Sequence, residues 1–223
     1  MNSPALHIFR GALRTSVDES RPIHNVFADG GPASAMEIAR SLGDLSHNVY
    51  TSVSEKKPRE VLLLDFWTDP EGMQRFFSDS RVREAGGRLC SSYGETSWTP
   101  VRDAFAFRLP TKAGHSARFV AMVRAPVKSV EDAVAEFNRL VSMNAATGRR
   151  RGQVSHDLYV RIGAPGTPEI IGVDFWSTLE GLHEHYRDEP AWHGFGASFT
   201  GPRHDSVWEQ AAGFVEWCLR RPV

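Results

Sequence analysis

The chain has 223 residues, of which 41% are hydrophobic and 24% charged, and its formal net charge is −1. These values are typical of a soluble globular protein with room for one large domain or two of about 100 residues. A net charge so close to zero gives no electrostatic reason to expect nucleic acid or an anionic membrane as a partner.

The sequence carries no apolar run near the roughly 20 residues needed to span a bilayer. Its first residues lack the basic-then-apolar layout of a signal peptide. Cys90 and Cys218 are the only cysteines, too few for a disulfide scaffold. We therefore expect a reduced, cytoplasmic protein.

A long internal repeat organises the chain. Residues 46–72 return as residues 155–181, at a constant offset of 109 and without a gap, and both copies share Ser-His, a Tyr and Asp-Phe-Trp-x-x-x-Glu-Gly. A solenoid needs at least three short repeats, so two long copies indicate a fused pair of small domains. We predict modules over residues 1–102 and 103–223.

The first copy reads as alternating strands and helices. The predicted elements are, in chain order, a lead-in at Phe9-Arg10, a strand over 23–28, a helix over 33–45, strands over 48–53 and 61–67, a helix from Asp69, and a strand around Trp98. The two central runs are rich in apolar, aromatic and β-branched residues and are separated by a polar turn, which is typical of a hairpin.

The second copy repeats this order. Its predicted elements are a lead-in at Phe107-Arg108, a strand over 119–124, a helix from Ser129 to about Met143, strands over 157–162 and 170–176, a helix from Ser177 or Thr178, a strand around Trp208, and a terminal helix over 211–220. An insertion over 145–152 is predicted to be an exposed basic loop, and it has no aromatic residues on which bases could stack.

The order β-α-β-β-α-β is that of a ferredoxin-like module. Such a module leaves one face of an open antiparallel sheet bare, and a second identical sheet can cover it. We predict an α+β fold in which the two sheets pack as an intramolecular, pseudo-dimeric α/β barrel. The chain would then be a monomer with an internal pseudo-dimer, and further dimerisation through exposed sheet edges stays open.

The second copy contains the pattern Asp174-Phe175-Trp176-x-x-x-Glu180-Gly181-x-x-x-His185-x-x-x-Glu189-Pro190. This pattern and the element order resemble the dimeric α/β-barrel superfamily, in its antibiotic-biosynthesis-monooxygenase-like branch. The first copy matches through Asp65 to Gly72, but Phe76 stands where the helix histidine is expected. The resemblance implies a cofactor-independent oxygenase of aromatic or polyketide-like molecules.

Haem is the alternative cofactor that the resemblance brings in, since haem-degrading enzymes share the strand tryptophan. Their second helix tryptophan is replaced here by His185 or Phe76, and His193 stands only near the position of their haem-ligating histidine. No HExxH motif or Cys/His spacing predicts a metal site. The sequence therefore favours a reaction without a cofactor.

The predicted catalytic residues are Tyr159, Trp176 and His185, in a pocket between sheet and helices of the second copy. His185 matches the family's helix histidine and is the predicted general base. Trp176 would stack on a planar substrate and donate from its ring N–H. A capping or surface role for His185, and a core role for Trp176, remain open.

The predicted substrate-binding residues surround these positions: Tyr50, Trp67, His156, Asp157, Trp192 and His193. On a strand, His156 and Leu158 face one way while Asp157 and Tyr159 face the other. Because both copies keep Ser-His followed by Tyr, a purely structural role is equally open. A non-catalytic binding module, or an isomerase or cyclase on the same scaffold, are the alternative functions.

Overall fold

The computed structural model describes residues 4–31, 34–54, 59–108, 117–163, 166–187 and 196–218. The chain divides into two compact units, unit 1 (residues 1–99 and 210–223) and unit 2 (residues 100–209). The C-terminal segment, predicted to end the second module, thus lies with unit 1. Within the described ranges no helix is both long and apolar enough to cross a lipid bilayer.

Unit 1 is a ferredoxin-like layer of helices on an antiparallel sheet. Its elements are β1 (Ala5–Leu13), α1 (Val17–Asp29), α2 (Ala35–Ser41), β2 (Asp44–Ser52), β3 (Glu60–Trp67), α3 (Pro70–Ser78), α4 (Ser80–Leu89), β4 (Cys90–Pro100) and β10 (Trp217–Cys218). The strands pair in the order β10-β2-β3-β1-β4, and every pair is antiparallel.

Unit 2 repeats this plan with fewer helices. Its elements are β5 (Phe107–Arg108), β6 (Phe119–Pro126), α5 (Val130–Arg150), β7 (Gln153–Arg161), β8 (Glu169–Trp176), α6 (Leu179–Arg187) and β9 (His204–Gln210). The strand order is β7-β8-β6-β9, with β5 paired to β7. The α+β class and the β-α-β-β-α-β order of both copies are therefore confirmed.

Helix starts follow the local sequence. Ser16 and Glu19 form a reciprocal capping box at α1, Asp69 caps α3 ahead of Pro70, and Ser129 caps α5 as predicted. Each cap satisfies backbone N–H groups that the first turn leaves without partners.

The strand predicted over 23–28 is wrong, because these residues lie inside α1. Ile23 and Val26 suggest a strand by composition, but the upstream capping box starts a helix that buries Ser20, His24 and Ala28 on one face. Four-residue spacing is the helical period, and it outweighs β propensity here.

The exposed basic loop predicted over 145–152 is also wrong for most of its length. Helix α5 continues to Arg150, and Ala145 and Gly148 are buried. A Cβ at Gly148 would lie 2.2 Å from Gln153 Oε1, so glycine permits the helix to pass close to β7. Gly152, at φ +98°, makes the turn into that strand.

The predicted terminal helix is not formed by the described residues 211–218, which run in extended and turn conformations. Ala211 N–H donates to the Val49 carbonyl, and Trp217 pairs with His47 across the edge of β2. The apolar residues of this segment suggest a helix by their spacing, but the segment instead runs along unit 1 and buries Phe214 in its core.

Candidate functional site

Unit 1 contains a cavity of about 80 Å³ between its sheet and its helices, named the inner chamber. Its walls are mainly aromatic: Phe9, Phe27, Trp67, Phe76, Phe77 and Trp217. Its polar lining consists of His24, Asp44, His47, Asp65 and Glu95. Acid and imidazole groups in an apolar space are the arrangement in which protonation states shift most.

A second cavity, the outer groove, adjoins the chamber and holds about 390 Å³ between α1, α2 and α4. The two cavities share Ile23, Phe27, Ala35, Phe76, Val82 and Ala85 as lining residues. A volume of this size lies within the range of small-molecule sites, about 300–1,000 Å³. The groove therefore offers a route from solvent to the acid and imidazole groups.

Three buried side chains form a hydrogen-bonded chain on the chamber wall. His47 Nδ1 lies 2.5 Å from Asp65 Oδ1, and His47 Nε2 lies 3.1 Å from His24 Nε2. Adjacent strand pairing places His47 opposite Asp65. His24 comes from helix α1, which packs on this face of the sheet, and His24 Nδ1 lies 3.1 Å from Asn25 Oδ1.

The pKa values of the two imidazoles are shifted in opposite directions. Burial, and then the neighbouring His47, lowers the pKa of His24 to about 4. Burial also lowers the pKa of His47, but Asp65, Asp44 and Glu216 outweigh it, so the net direction is upward. A charged His47 donating to both Asp65 and a neutral His24 satisfies all three groups.

Asp44 is the acidic group that this chain of hydrogen bonds does not use. It is 1% exposed and accepts from Trp217 Nε1 through Oδ2 at 2.5 Å. Its other oxygen, Oδ1, has no hydrogen-bond partner among the described residues. Burial, and then Asp65, raises the pKa of Asp44 to about 7, against opposing contributions from Trp217, from His47 and from a hydrogen bond with the Ser46 backbone.

Trp67 faces Asp44 across the ladder between β2 and β3. It is 1% exposed and lines the chamber, and its ring Nε1 has no partner among the described residues. A register shift between Asp44 and Ser46 bends β2 at this point. Such bulges re-aim side chains, and here one brings an acceptor and a donor to the same cavity.

Unit 2 builds the corresponding polar group differently. Asp174 accepts from His156, from Gln153 Nε2 at 2.8 Å and from the Tyr186 hydroxyl. Gln153 occupies the repeat position of Asp44, so an amide replaces the second carboxyl. The unit-2 carboxylate is saturated with donors, which is typical of a structural network.

The space above His156 is filled in unit 2. The ring of Phe137, from α5, stacks on His156 with centroids 4.6 Å apart, where unit 1 has His24 over His47. The cavity beside Phe137 and Leu158 holds about 10 Å³. These contacts put His156 and Leu158 on the same face of the sheet, as strand alternation predicts, and that face is the helix side.

The three predicted catalytic residues do not come together at one cavity. Trp176 and His185 are in contact, with ring centroids 5.1 Å apart, and His185 is 2% exposed. Tyr159 is buried on the opposite face of the sheet, because it neighbours Leu158 on a strand. The roles proposed for these residues remain predictions.

The predicted binding residues separate in the same way. Trp67 lines the inner chamber, whereas Tyr50 and Asp157 follow the strand alternation away from the helices. Trp192 and His193 lie outside the described residues.

Sequence reasoning missed Asp44, His24 and Trp217. The sequence held one signal for Asp44. At the repeat offset its counterpart is Gln153, so one copy has a carboxyl where the other has an amide. His24 was hidden by the incorrect strand over 23–28. Trp217 was hidden because it comes from the far end of the chain.

The described residues of the site suit neither a metal ion nor haem. In the part of the chain that is described, no group of three or more His, Cys, Asp or Glu side chains is arranged to hold a metal ion. Haem does not suit the site either: the outer groove has no histidine in its described lining, and the chamber that has two is far below the size of a cofactor pocket.

Comparison with known proteins finds likeness in structure rather than in sequence. No family model and no curated protein matches the chain. A crystal structure of an anthrone oxidase-like protein matches with a TM-score of 0.65 and 12% identity, over 100% of this chain and 96% of that one.

Two further structures share the fold. A chlorite dismutase mutant from Candidatus Nitrospira defluvii matches with a TM-score of 0.58 and 15% identity, covering 95% of this chain and 94% of that one. A Listeria monocytogenes ferredoxin-fold protein related to antibiotic biosynthesis monooxygenases gives 0.51 and 9%, covering 94% and 95%. The chain therefore shares its ferredoxin-like α+β fold with these structures over nearly its whole length, as its sequence predicts.

Proposed function

We propose that unit 1 is the catalytic unit of a cofactor-independent oxygenase for an aromatic, polyketide-like ketone or phenol, with Asp44 as the general base. One observation carries the proposal: a buried carboxyl oxygen without a partner among the described residues, in an aromatic chamber, on a group whose pKa is raised to about 7. A base whose pKa lies near the operating pH is the most efficient proton acceptor.

The surrounding groups suit the anion that proton removal creates. Trp67 offers a ring N–H opposite Asp44, which would donate to the substrate oxygen as negative charge develops on it. The charged His47 adds a fixed positive group within the same wall. Both groups are held in place by strand pairing, so they need little reorganisation during the reaction.

Anthrone serves as the first test substrate, chosen because one structural neighbour is named an anthrone oxidase-like protein. The inner chamber holds only about 80 Å³, so the rings would lie in the adjoining outer groove and only the methylene edge would enter the chamber. Asp44 would remove a proton from this methylene, and the resulting anion would transfer electrons to O₂ and join it as a hydroperoxide. Loss of water then gives the quinone. One anthrone and one O₂ yield one anthraquinone and one water, so no external reductant is needed.

The test is oxygen uptake and anthraquinone formation by the whole protein, measured above the uncatalysed oxidation of anthrone and with a chelator present. We expect Asp44→Asn to reduce kcat/KM about 10²–10⁴-fold, the usual contribution of a general base. Asp103→Asn makes the same chemical change at an exposed site in unit 2 and is the matched control. Its rate should equal that of the unchanged protein.

The alternatives give different results in the same experiment. If His185→Ala abolishes turnover while Asp44→Asn does not, the base lies in unit 2 and the proposal is wrong. Exchange of the methylene hydrogens with D₂O under nitrogen, without oxygen uptake in air, would indicate an isomerase or cyclase. Quenching of tryptophan fluorescence by anthrone with neither reaction would indicate a binding module.

A further inference from the structure

The C-terminal segment, residues 210–218, lies against the wall of the inner chamber although it follows unit 2 in the chain. Its backbone is fixed at both ends of a short span: Ala211 N–H donates to the Val49 carbonyl, and Trp217 pairs with His47 on β2. Phe214 packs in the core of unit 1, with its ring centroid 5.1 Å from that of His24.

Two side chains clamp this segment in place. Asn25 donates from Nδ2 to the Gly213 carbonyl and accepts from Val215 N–H through Oδ1, both at 2.8 Å. Glu216 accepts from Val49 N–H at 2.7 Å and from Gln210 Nε2 at 2.6 Å. The segment is therefore held by directed hydrogen bonds as well as by apolar packing.

Trp217 is the residue that this segment delivers to the chamber. Its ring stacks on His47, with centroids 4.4 Å apart and planes 22° apart, and its N–H donates to Asp44 Oδ2. The guanidinium of Arg40, on α2, lies 5.9 Å from the centroid of the Trp217 ring. The indole is 8% exposed, so the hydrogen bond to Asp44 is shielded from water.

We propose that the C-terminal segment is part of the unit-1 site and that Trp217 is a positioning residue, which holds one carboxyl oxygen of Asp44 so that the other is presented to the chamber. The statement that the other oxygen acts on a substrate rests on the proposed function. The geometry is independent of it, because an indole N–H fixed on one carboxylate oxygen restricts the rotation of the whole group and favours its ionised form.

Several charged groups face Asp44 from the surrounding elements, and a change in its ionisation must be read against them. They are Asp65, His47, His24, Arg40, Glu95 and Glu216. Trp217→Phe leaves all six in place and keeps a ring over His47. It removes the N–H donor together with part of the indole ring, so a measurement that keeps Trp217 is needed beside it.

The experiment is a pH titration of the Asp44 carboxyl carbon by NMR in the full chain, with the resonance assigned by its loss in Asp44→Asn. We expect Trp217→Phe to raise the pKa of Asp44 by about one pH unit, because the ionised form loses a strong donor. Cys218→Ser changes the exposed neighbour on the same strand and should leave the titration where it was. An unchanged pKa in Trp217→Phe would overturn the proposal.

A second measurement needs no variant of Trp217. In the unchanged protein one indole N–H resonance should follow the Asp44 titration, and that dependence should vanish in Asp44→Asn. If no indole resonance does so, the proposal is overturned even where Trp217→Phe fails to fold. If the protein turns over anthrone, the acid limb of its pH profile of kcat/KM should move to higher pH in Trp217→Phe, by the same interval as the pKa of Asp44. If neither protein turns over anthrone, the proposed function is contradicted, but the role of Trp217 in holding Asp44 is not.

Discussion

Unit 1 and unit 2 use the same strands, the same Asp–His pair and the same strand tryptophan, but they differ in what lies above the pair. Over His47, α1 places His24 and then stops at Gly30, leaving the inner chamber and the outer groove. Over His156, α5 runs without a break for 21 residues and inserts Phe137. A continuous helix fills the space that an interrupted one leaves open.

The comparison separates two kinds of residue: shared glycines that the fold needs, and an acid and an imidazole that only unit 1 has. Gly72 and Gly181 are shared, and a Cβ at either would approach a backbone oxygen, of Leu42 or Arg151, to within 1.9 Å. Asp44 and His24, which are not shared, add an acid and an imidazole to the shared pair Asp65 and His47.

The largest effect that could break this comparison is on stability. Phe137→Ala should lower the free energy of unfolding by about 3–5 kcal/mol, since it leaves a cavity in a closed core. Phe27→Ala, its matched variant in the open unit, should cost about 1–2 kcal/mol because the ring is only half-buried. Urea unfolding measures both, and equal losses would show that unit 1 is as tightly packed as unit 2.

A second effect sharpens the comparison through pH. The pKa of Asp44 is raised from 3.8 to about 7, so its contribution to stability is complete below pH 3.8 and is lost as the pH rises through 7. Asp44→Asn, which cannot ionise, should therefore be more stable than the unchanged protein at pH 8, by up to about 4 kcal/mol. The two proteins should be equally stable near pH 4.

Urea unfolding at pH 4, 6 and 8 tests this directly. Asp103→Asn makes the same chemical change at an exposed carboxyl of unit 2 and is the matched comparison. A stability difference between Asp44→Asn and the unchanged protein that stays constant with pH would contradict the raised pKa.

The smallest effect on stability comes from making unit 1 resemble unit 2. His24→Phe should cost about 1–3 kcal/mol of unfolding free energy, because the buried Nε2 of His47 loses its partner, although unit 2 tolerates a phenylalanine ring on the corresponding imidazole. The phenylalanine ring should also narrow the chamber, so kcat/KM for anthrone should fall even under conditions where the variant is fully folded. Unchanged turnover would mean that the substrate does not enter there.

Much of the fold was predictable because the repeat constrains it twice. The hairpins, the helices after each tryptophan and the closing strands follow from patterns that recur at one offset. What failed lay outside the matched stretch: residues 23–28 share no pattern with their counterpart, and residues 145–150 do not resemble residues 36–41 in sequence, although both segments are helical. A single occurrence leaves propensity and tertiary packing in competition.

The candidate site was less predictable for a geometric reason. Trp67 was identified because it belongs to the repeat. Trp217 is 173 positions from the carboxyl it binds, and no local periodicity connects them. His24 and Asp44 come from a helix and a bulged strand end, whose meeting depends on the break between α1 and α2 rather than on residue spacing.

The return of residues 210–218 to unit 1 has a consequence for the order in which the protein is made. Every residue of unit 2 must leave the ribosome before the last strand of unit 1 exists. Unit 2 can reach its closed core while the other half still lacks an edge strand and the indole donor. The acid in the chamber is thus given its final setting only after unit 2 has been synthesised.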